Sequence, residues 1–243
     1  MIALIDIGNS RTKVGIVKES NIDKTFSINT SNSFNELLNE LGIVEKIFFS
    51  SVVPSKSAEL LGCVETKKIF EVNINPNLGI DILYKTPQTL GIDRVCGILG
   101  AKKLAQLNSH KSDLIITIDC GTATTINVLY QNSFIGGLIA PGISTMFSSL
   151  NKNTSLLPEL NFDSYTEFIG NSTETSIVSG VVNATLGFIS HSINKIEKLY
   201  ETNASIFITG GNSKKLLPYL DKNIMYEKDL VLIGILSVAE KMG

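Results

Sequence analysis

The chain has 243 residues, a formal net charge of −2, 43% hydrophobic residues and 18% charged ones, which excludes a disordered chain and leaves no electrostatic footprint for nucleic acid. No apolar run approaches the ~18 residues of a membrane span, and Asp6 interrupts the first apolar stretch too early for a signal peptide. A cytoplasmic protein with no membrane and no nucleic acid as partner is expected, with Cys63, Cys96 and Cys120 reduced because their spacing suits neither zinc nor a disulfide framework.

In chain order, β-branched and apolar runs predict strands at residues 2–7, 13–18 and 24–28. A helix then starts at Ser33, where Ser33 and Glu36 form a capping box. Phe34, Leu37, Leu38 and Leu41 give its apolar stripe, and Gly42 suits its C-terminal cap. A strand at 46–53, a short helix at 55–61 opened by Pro54 and a strand at 69–73 follow. Turn-rich segments at 75–77 and 86–87 lead to a helix over 94–107 and to a polar joint at 108–113, which contains His110. The second half repeats the order: strands at 114–119, 123–130 and 133–139, a helical region, and a proline-free helix over 173–201. A strand at 205–209, a helix after Ser213, a strand at 224–226 and a closing helix from Leu230 complete it.

The length suits two lobes of roughly 100 to 150 residues, and the joint places them at 1–112 and 113–243. Each opens with an antiparallel meander and only later alternates strand and helix. That order predicts an α/β chain built as a duplicated ribonuclease-H-like fold, two lobes with mixed sheets around an interlobe cleft, and not a Rossmann sheet. Neither a Gly-x-Gly-x-x-Gly nor a Walker A sequence occurs.

The duplication is visible in the residues. Ile5-Asp6-Ile7-Gly8-Asn9 and Ile118-Asp119-Cys120-Gly121-Thr122 each deliver Asp-x-Gly and a small polar residue from an apolar strand. Set 113 residues apart, Asp119 falls on Asp6, Gly121 on Gly8, Thr122 on Asn9, Thr125 on Thr12 and Leu129 on Ile16. One such turn is a common hairpin, whereas two in matching places fit a polyphosphate held by backbone N–H groups. Gly8 and Gly121 permit close approach, Asn9 and Thr122 add donors, Asp6 can hold Mg2+ directly or through water, and Lys13 adds positive charge.

A second constellation is Gly91-Ile92-Asp93-Arg94, following Tyr84 and opening a helix. An Asp there is most often a cap and the Arg a surface charge. The pair also suits phosphoryl transfer, in which a carboxylate orients a hydroxyl and takes its proton late while a guanidinium grips an anion. Gly136 to Gly142 needs a close backbone neighbour, either protein or ligand. Thr209-Gly210-Gly211-Asn212 reads equally as an adenosine contact or a plain strand-to-helix turn, and Asn171-Ser172-Thr173 as an anion site or an ordinary helix cap. His110 and His191 form no cluster and read as structural, and no Gly-x-Ser-x-Gly elbow is present.

In order along nearly the whole chain, these segments resemble the type III pantothenate kinases of the actin-like kinase superfamily: Asp6 to Lys13, Tyr84, Gly91 to Arg94, Asp119 to Ala123, Gly136-Gly137, Pro141-Gly142, Thr173 and Thr209 to Gly211. The resemblance implies ATP-dependent phosphorylation of the primary hydroxyl of pantothenate, the first step of coenzyme A synthesis. It further implies a homodimer using Mg2+ and a monovalent cation, K+ or NH4+. By that similarity Asp6, Ile7, Gly8, Asn9, Ser10, Arg11, Thr12, Lys13 and Thr122 bind ATP, with Asp6 on Mg2+ and Asp119 on the monovalent cation. Asp93 is the proton acceptor, and Tyr84, Gly91, Ile92, Asp93, Arg94 and Thr173 contact pantothenate. Ser10 stands where the family usually has Thr, and Asn127 where a carboxylate is frequent. The competing readings are another actin-like sugar or acid kinase and a catalytically silent nucleotide-binding regulator.

Overall fold

Strand β1 (Ile2–Ile7) is apolar at every position except Asp6, because it lies inside a sheet whose other members cover both of its edges. It pairs antiparallel with β2 (Arg11–Lys18), which pairs antiparallel with β3 (Asn21–Asn29). On its other side β1 pairs parallel with β4 (Lys46–Ser51), and β4 pairs parallel with β5 (Ile69–Glu71). The parallel steps require crossovers, which α1 (Phe34–Leu41) and α2 (Pro54–Cys63) supply. The computed structural model describes all residues except 43, 65–67, 109–111, 156, 221–222 and 243, so the His110 expectation lies outside the described residues.

Helix α1 begins where the sequence places it, and Gly42 ends it with φ +65°. The capping box does not form: the Ser33 hydroxyl accepts from the Asn35 N–H at 3.3 Å and not from Glu36. The Glu59 carboxylate, from α2, instead accepts the Phe34 N–H at 2.9 Å. Beneath the two helices Ala3, Ile5, Ile7, Val14, Phe34, Leu37, Ile47, Phe49 and Leu60 form one fully buried core. Each large side chain in it contributes roughly 1.5–3 kcal/mol.

By contact the chain divides into two units: Met1–Lys111 with Tyr130–Ile135 and Asp229–Gly243, and Ser112–Leu129 with Gly136–Lys228. In the first, α3 (Ile92–Leu107) packs on the last helix, α7 (Leu230–Met242). Glycines permit this approach. A methyl group on Gly100 would lie 3.1 Å from the Gly234 nitrogen, and one on Gly234 only 2.6 Å from the Cys96 carbonyl carbon. The two-residue β6 (Asp81–Ile82), too short for any periodicity, was invisible in the sequence. It pairs parallel with Ser133 and Phe134 at the start of β9.

The second unit orders its strands β9 (Ser133–Pro141), β8 (Ala123–Tyr130), β7 (Leu114–Cys120), β10 (Ser205–Thr209), β11 (Ile224–Tyr226). That is the order β3-β2-β1-β4-β5 over again, with β7/β10 and β10/β11 parallel as β1/β4 and β4/β5 are. The constant spacing of 113 holds only as far as the turn. Three residues join β1 to β2 but two, Gly121 and Thr122, join β7 to β8. Beyond the turn Thr124, not Thr125, therefore answers Thr12, and Val128 answers Ile16. The buried and exposed positions of Arg11–Lys18 and Ala123–Tyr130 then coincide closely along both strands.

Helix α4 (Ile143–Lys152) occupies the expected helical region, and α6 (Ser213–Leu216) is cut to one turn. Helix α5 (Thr173–Tyr200) runs through Gly180 and Gly187 without interruption and ends at Glu201 in the left-handed region, φ +51°. It is long and apolar enough by length and composition to cross a membrane. Its Val181, Val182, Leu186 and Ile189 are nevertheless buried in the protein, as in a core helix, and His191 on the same helix is exposed. Cys63, Cys96 and Cys120 are free thiols.

Candidate active site

The first Asp-x-Gly turn is braced from beneath. Gly8 N–H donates to the Arg11 carbonyl at 3.0 Å, the Thr30 hydroxyl donates to the Gly8 carbonyl at 2.8 Å, and Thr30 N–H donates to the Ser10 carbonyl at 3.2 Å. Thr12 and Thr30 are buried with their hydroxyls 3.1 Å apart. Ile7 is buried in the core, while Asn9, Ser10 and Arg11 stand exposed at the tip. Thr12 thus shapes the turn from below.

Across the strands Lys13, Asp6 and Ser50 are register neighbours and share a face of the sheet. The Ser50 hydroxyl donates to Asp6 Oδ1 at 2.8 Å, which orients the half-buried carboxylate. Lys13 reaches Asp229, the residue before α7, with Nζ 2.9 Å from Oδ1.

In the second unit Gly121 N–H donates to the Ala123 carbonyl at 3.0 Å, repeating the first turn. Asp119 pairs in register with Thr209 as Asp6 does with Ser50. Two glycines close around it. Gly142 N–H donates to the Thr122 carbonyl at 2.9 Å and Thr145 Oγ1 donates to the same oxygen at 2.7 Å. A side chain on Gly142 would collide with that carbonyl, so the close neighbour of the Gly136 to Gly142 stretch is this turn. Gly210, at φ +96°, has its α-carbon against Cys120, where a methyl would lie 2.5 Å from the backbone nitrogen. Burial, with Asp119 alongside, pushes the Cys120 thiol up to about 12. Asn127 donates to Thr117 Oγ1 at 3.2 Å and is buried. Thr173 is exposed at the first position of α5, just after a capping box made by Ser172 and Thr175.

The Gly91-Ile92-Asp93-Arg94 constellation lies in the first unit. Helix α3 starts at Ile92, two residues before the expected start, with Gly91 as its N-terminal cap residue and Asp93 in the first turn. The Asp93 carboxylate curls back and accepts the Arg94 N–H at 2.8 Å. A methyl on Gly91 would lie 2.5 Å from that carboxylate, so a larger residue there would force Asp93 to shift. Burial raises the Asp93 pKa above the ordinary carboxylate value, opposed by the Arg94 N–H and the Arg94 charge. Arg94 is itself buried, its guanidinium carbon 5.8 Å from the ring centroids of both Tyr84 and Phe134. The two rings meet edge to face at 6.2 Å.

The buried Cys96, one helical turn along α3, feels Asp93 and Asp6 together: its thiol is pushed up by burial first and then by both carboxylates. The first unit therefore carries both the Asp6 turn and the Asp93-Arg94 pair. A backbone donor turn, a buried carboxylate with a raised pKa and an aromatic-flanked guanidinium can bind phosphate, accept a proton from a hydroxyl and grip an anion. The sequence reading missed Thr30, Ser50, Phe134 and Asp229. Ser50 and Phe134 are set by strand register, which no local pattern gives, while Asp229 reads simply as the residue that starts α7.

Among the described residues no group of three or more His, Cys, Asp or Glu gathers as a metal site. Mg2+ on a nucleotide takes one or two carboxylates and otherwise phosphate and water oxygens. Asp6, oriented by Ser50, fits such a partial share. Asp119, a single carboxylate beside the neutral Thr209, fits an ion of low charge.

Residues 2–195 match the family model described as type III pantothenate kinase. A type III pantothenate kinase of Thermosipho africanus is 33% identical over the full length of both chains. Another, from Methylacidiphilum infernorum, is 33% identical over 98% of this chain and 87% of its own. Among solved structures, a Campylobacter jejuni protein provisionally named a Baf family transcriptional activator superposes with TM-score 0.66 at 21% identity, covering 99% of this chain and 98% of that one. An inorganic polyphosphate/ATP-glucomannokinase from Arthrobacter superposes with TM-score 0.51 at 15% identity, over 99% and 98%. At such identities the two structures speak to the fold alone, which is the α/β actin-like kinase fold.

Proposed function

The chain belongs to the type III pantothenate kinase family, which phosphorylates pantothenate in coenzyme A biosynthesis, and from that premise we propose how its residues divide the work. Asp93 accepts the proton of the pantothenate primary hydroxyl as that oxygen bonds to the γ-phosphorus of ATP and the bond to the β-phosphate bridging oxygen breaks, releasing ADP. A raised pKa makes Asp93 a better base than a solvated carboxylate while leaving it ionised above that value. Arg94, held by Tyr84 and Phe134, pairs with the pantothenate carboxylate, Tyr84, Gly91 and Ile92 line the same subsite, and Thr173 is a further pantothenate contact.

The turn from Ile7 to Thr12, whose Gly8 N–H is committed to the Arg11 carbonyl, takes the phosphates of ATP at its exposed tip of Asn9, Ser10 and Arg11, with Lys13 facing the developing charge. Thr122 supplies the matching contact from the second turn. Asp6 holds Mg2+, directly or through water, and Asp119 holds K+ or NH4+. Bound Mg2+ neutralises charge on the phosphate oxygens. The protein works in the cytoplasm as a homodimer.

The observation that carries this division is the Asp93 carboxylate held by the Arg94 N–H at 2.8 Å, beside a buried Arg94 guanidinium flanked by Tyr84 and Phe134. The test is ATP consumption that depends on pantothenate, with 4'-phosphopantothenate identified as the product. Turnover with a sugar in place of pantothenate overturns the assignment.

A further inference from the structure

We propose that Asp229 is the positioning residue for Lys13, fixing its ammonium on the face of the sheet that carries Asp6. The inference rests on reading the first turn as the ATP cradle. Lys13 and Asp6 face each other in register on β2 and β1. A lysine reaches such a site on a flexible four-carbon stem, and ordering it when ATP arrives would cost side-chain entropy. Here the stem is already ordered. Nζ lies 2.9 Å from Asp229 Oδ1, with the two side chains only 26% and 12% exposed, so water screens the pair weakly.

Asp229 is well placed to act as a fixed post. Its carbonyl accepts the Ile233 N–H at 2.9 Å, the first hydrogen bond of α7. One turn further on, Gly234 abuts the Cys96 backbone of α3, where a methyl would lie 2.9 Å from the Cys96 α-carbon. The post that holds Lys13 is thus built into the same helix pair that carries Asp93. A carboxylate at 229 therefore sets where the lysine stands relative to the proton acceptor, without touching substrate.

The experiment compares the full chain with Asp229→Asn and Asp229→Glu, each also in a Lys13→Met background. Asp229→Asn is expected to raise the KM for ATP about tenfold and weaken binding of a non-hydrolysable ATP analogue equally, with the KM for pantothenate changed less than about twofold. Asp229→Glu is expected to restore part of the loss. In the Lys13→Met background Asp229→Asn should add nothing, because the group it acts through is gone. Unchanged ATP parameters, an equal rise in both KM values, or a full effect without Lys13 would each overturn the proposal. If Asp229→Asn does not fold, Asp229→Glu decides alone: an ATP-selective shift that vanishes with Lys13→Met supports the role, and any other result refutes it. A wild-type chain with no pantothenate-dependent turnover would instead refute the assigned activity.

Discussion

Replacing Asp93 by Asn separates catalysis from stability more sharply than any other change in this site. The two side chains have nearly the same shape, and an amide oxygen can keep the 2.8 Å hydrogen bond from the Arg94 N–H. The change removes only the charge and the basicity. Losing a positioned proton acceptor should lower the pantothenate-dependent rate by roughly 100- to 10,000-fold, equivalent to about 2.7–5.4 kcal/mol of transition-state stabilisation. Stability should move the other way. Burial is the largest influence on Asp93 and raises its pKa in the folded state, so the folded chain holds its proton more tightly than the unfolded chain does. That contribution to stability is complete below the unfolded pKa and is lost as pH rises through the folded one. At neutral pH the ionised carboxylate is therefore a cost, and Asp93→Asn should melt at the same temperature as the wild type or higher. Coupled turnover assays and thermal denaturation at pH 7 measure both. A variant that keeps wild-type turnover, or one that loses activity only in proportion to a lower Tm, would refute the reasoning.

The acid limb of the wild-type kcat/KM profile should lie above the ordinary aspartate range, because the base form of Asp93 is lost as pH falls through a raised pKa. A profile flat down to pH 4 would contradict it. Arg94→Lys should raise the KM for pantothenate about tenfold or more while leaving that for ATP within about twofold, since an ammonium reproduces neither the bidentate fork nor the broad planar cation set against Tyr84 and Phe134. Parallel changes in both would place Arg94 elsewhere. Gly210→Ala should destabilise the protein by about 1–3 kcal/mol in urea titrations, since it adds strain at φ +96° to a clash with the Cys120 backbone. Wild-type stability would mean the backbone there relaxes freely.

What the sequence displays is the part of the fold written in local pattern. Two Asp-x-Gly turns flanked by β-branched strands predict the meanders, and the strand orders confirm them as one topology used twice. The reading slips wherever chemistry depends on pairing. A spacing of 113 fits Asp6 to Asp119, yet the loss of one turn residue moves Thr124 opposite Thr12, which only strand geometry can register. Asp93 and Arg94 are visible as residue types beside Gly91. Their environment is not, because it comes from Phe134 on β9, brought beside Tyr84 by a two-residue strand. Asp229 lies at a helix start more than two hundred residues from Lys13, and no periodicity links them.

The glycines of α3 and α7 explain why such distant residues can share a geometry. Helices separated by ordinary side chains pack about 8–10 Å apart and tolerate small sliding motions. Here Gly100 faces the backbone of Leu230 and Gly234, with a hypothetical methyl 3.1 Å from the Gly234 nitrogen, and Gly234 faces the backbone of Cys96, with one 2.6 Å from its carbonyl carbon, so the helices meet backbone to backbone and have little room to slip. That lock fixes the C-terminal helix to the helix whose first turn holds Asp93. The same C-terminal helix begins at the carboxylate that tethers Lys13. On the proposed assignment, a kinase acting by position more than by basicity needs Asp93 and Lys13 held on one frame, and this crossing supplies the frame.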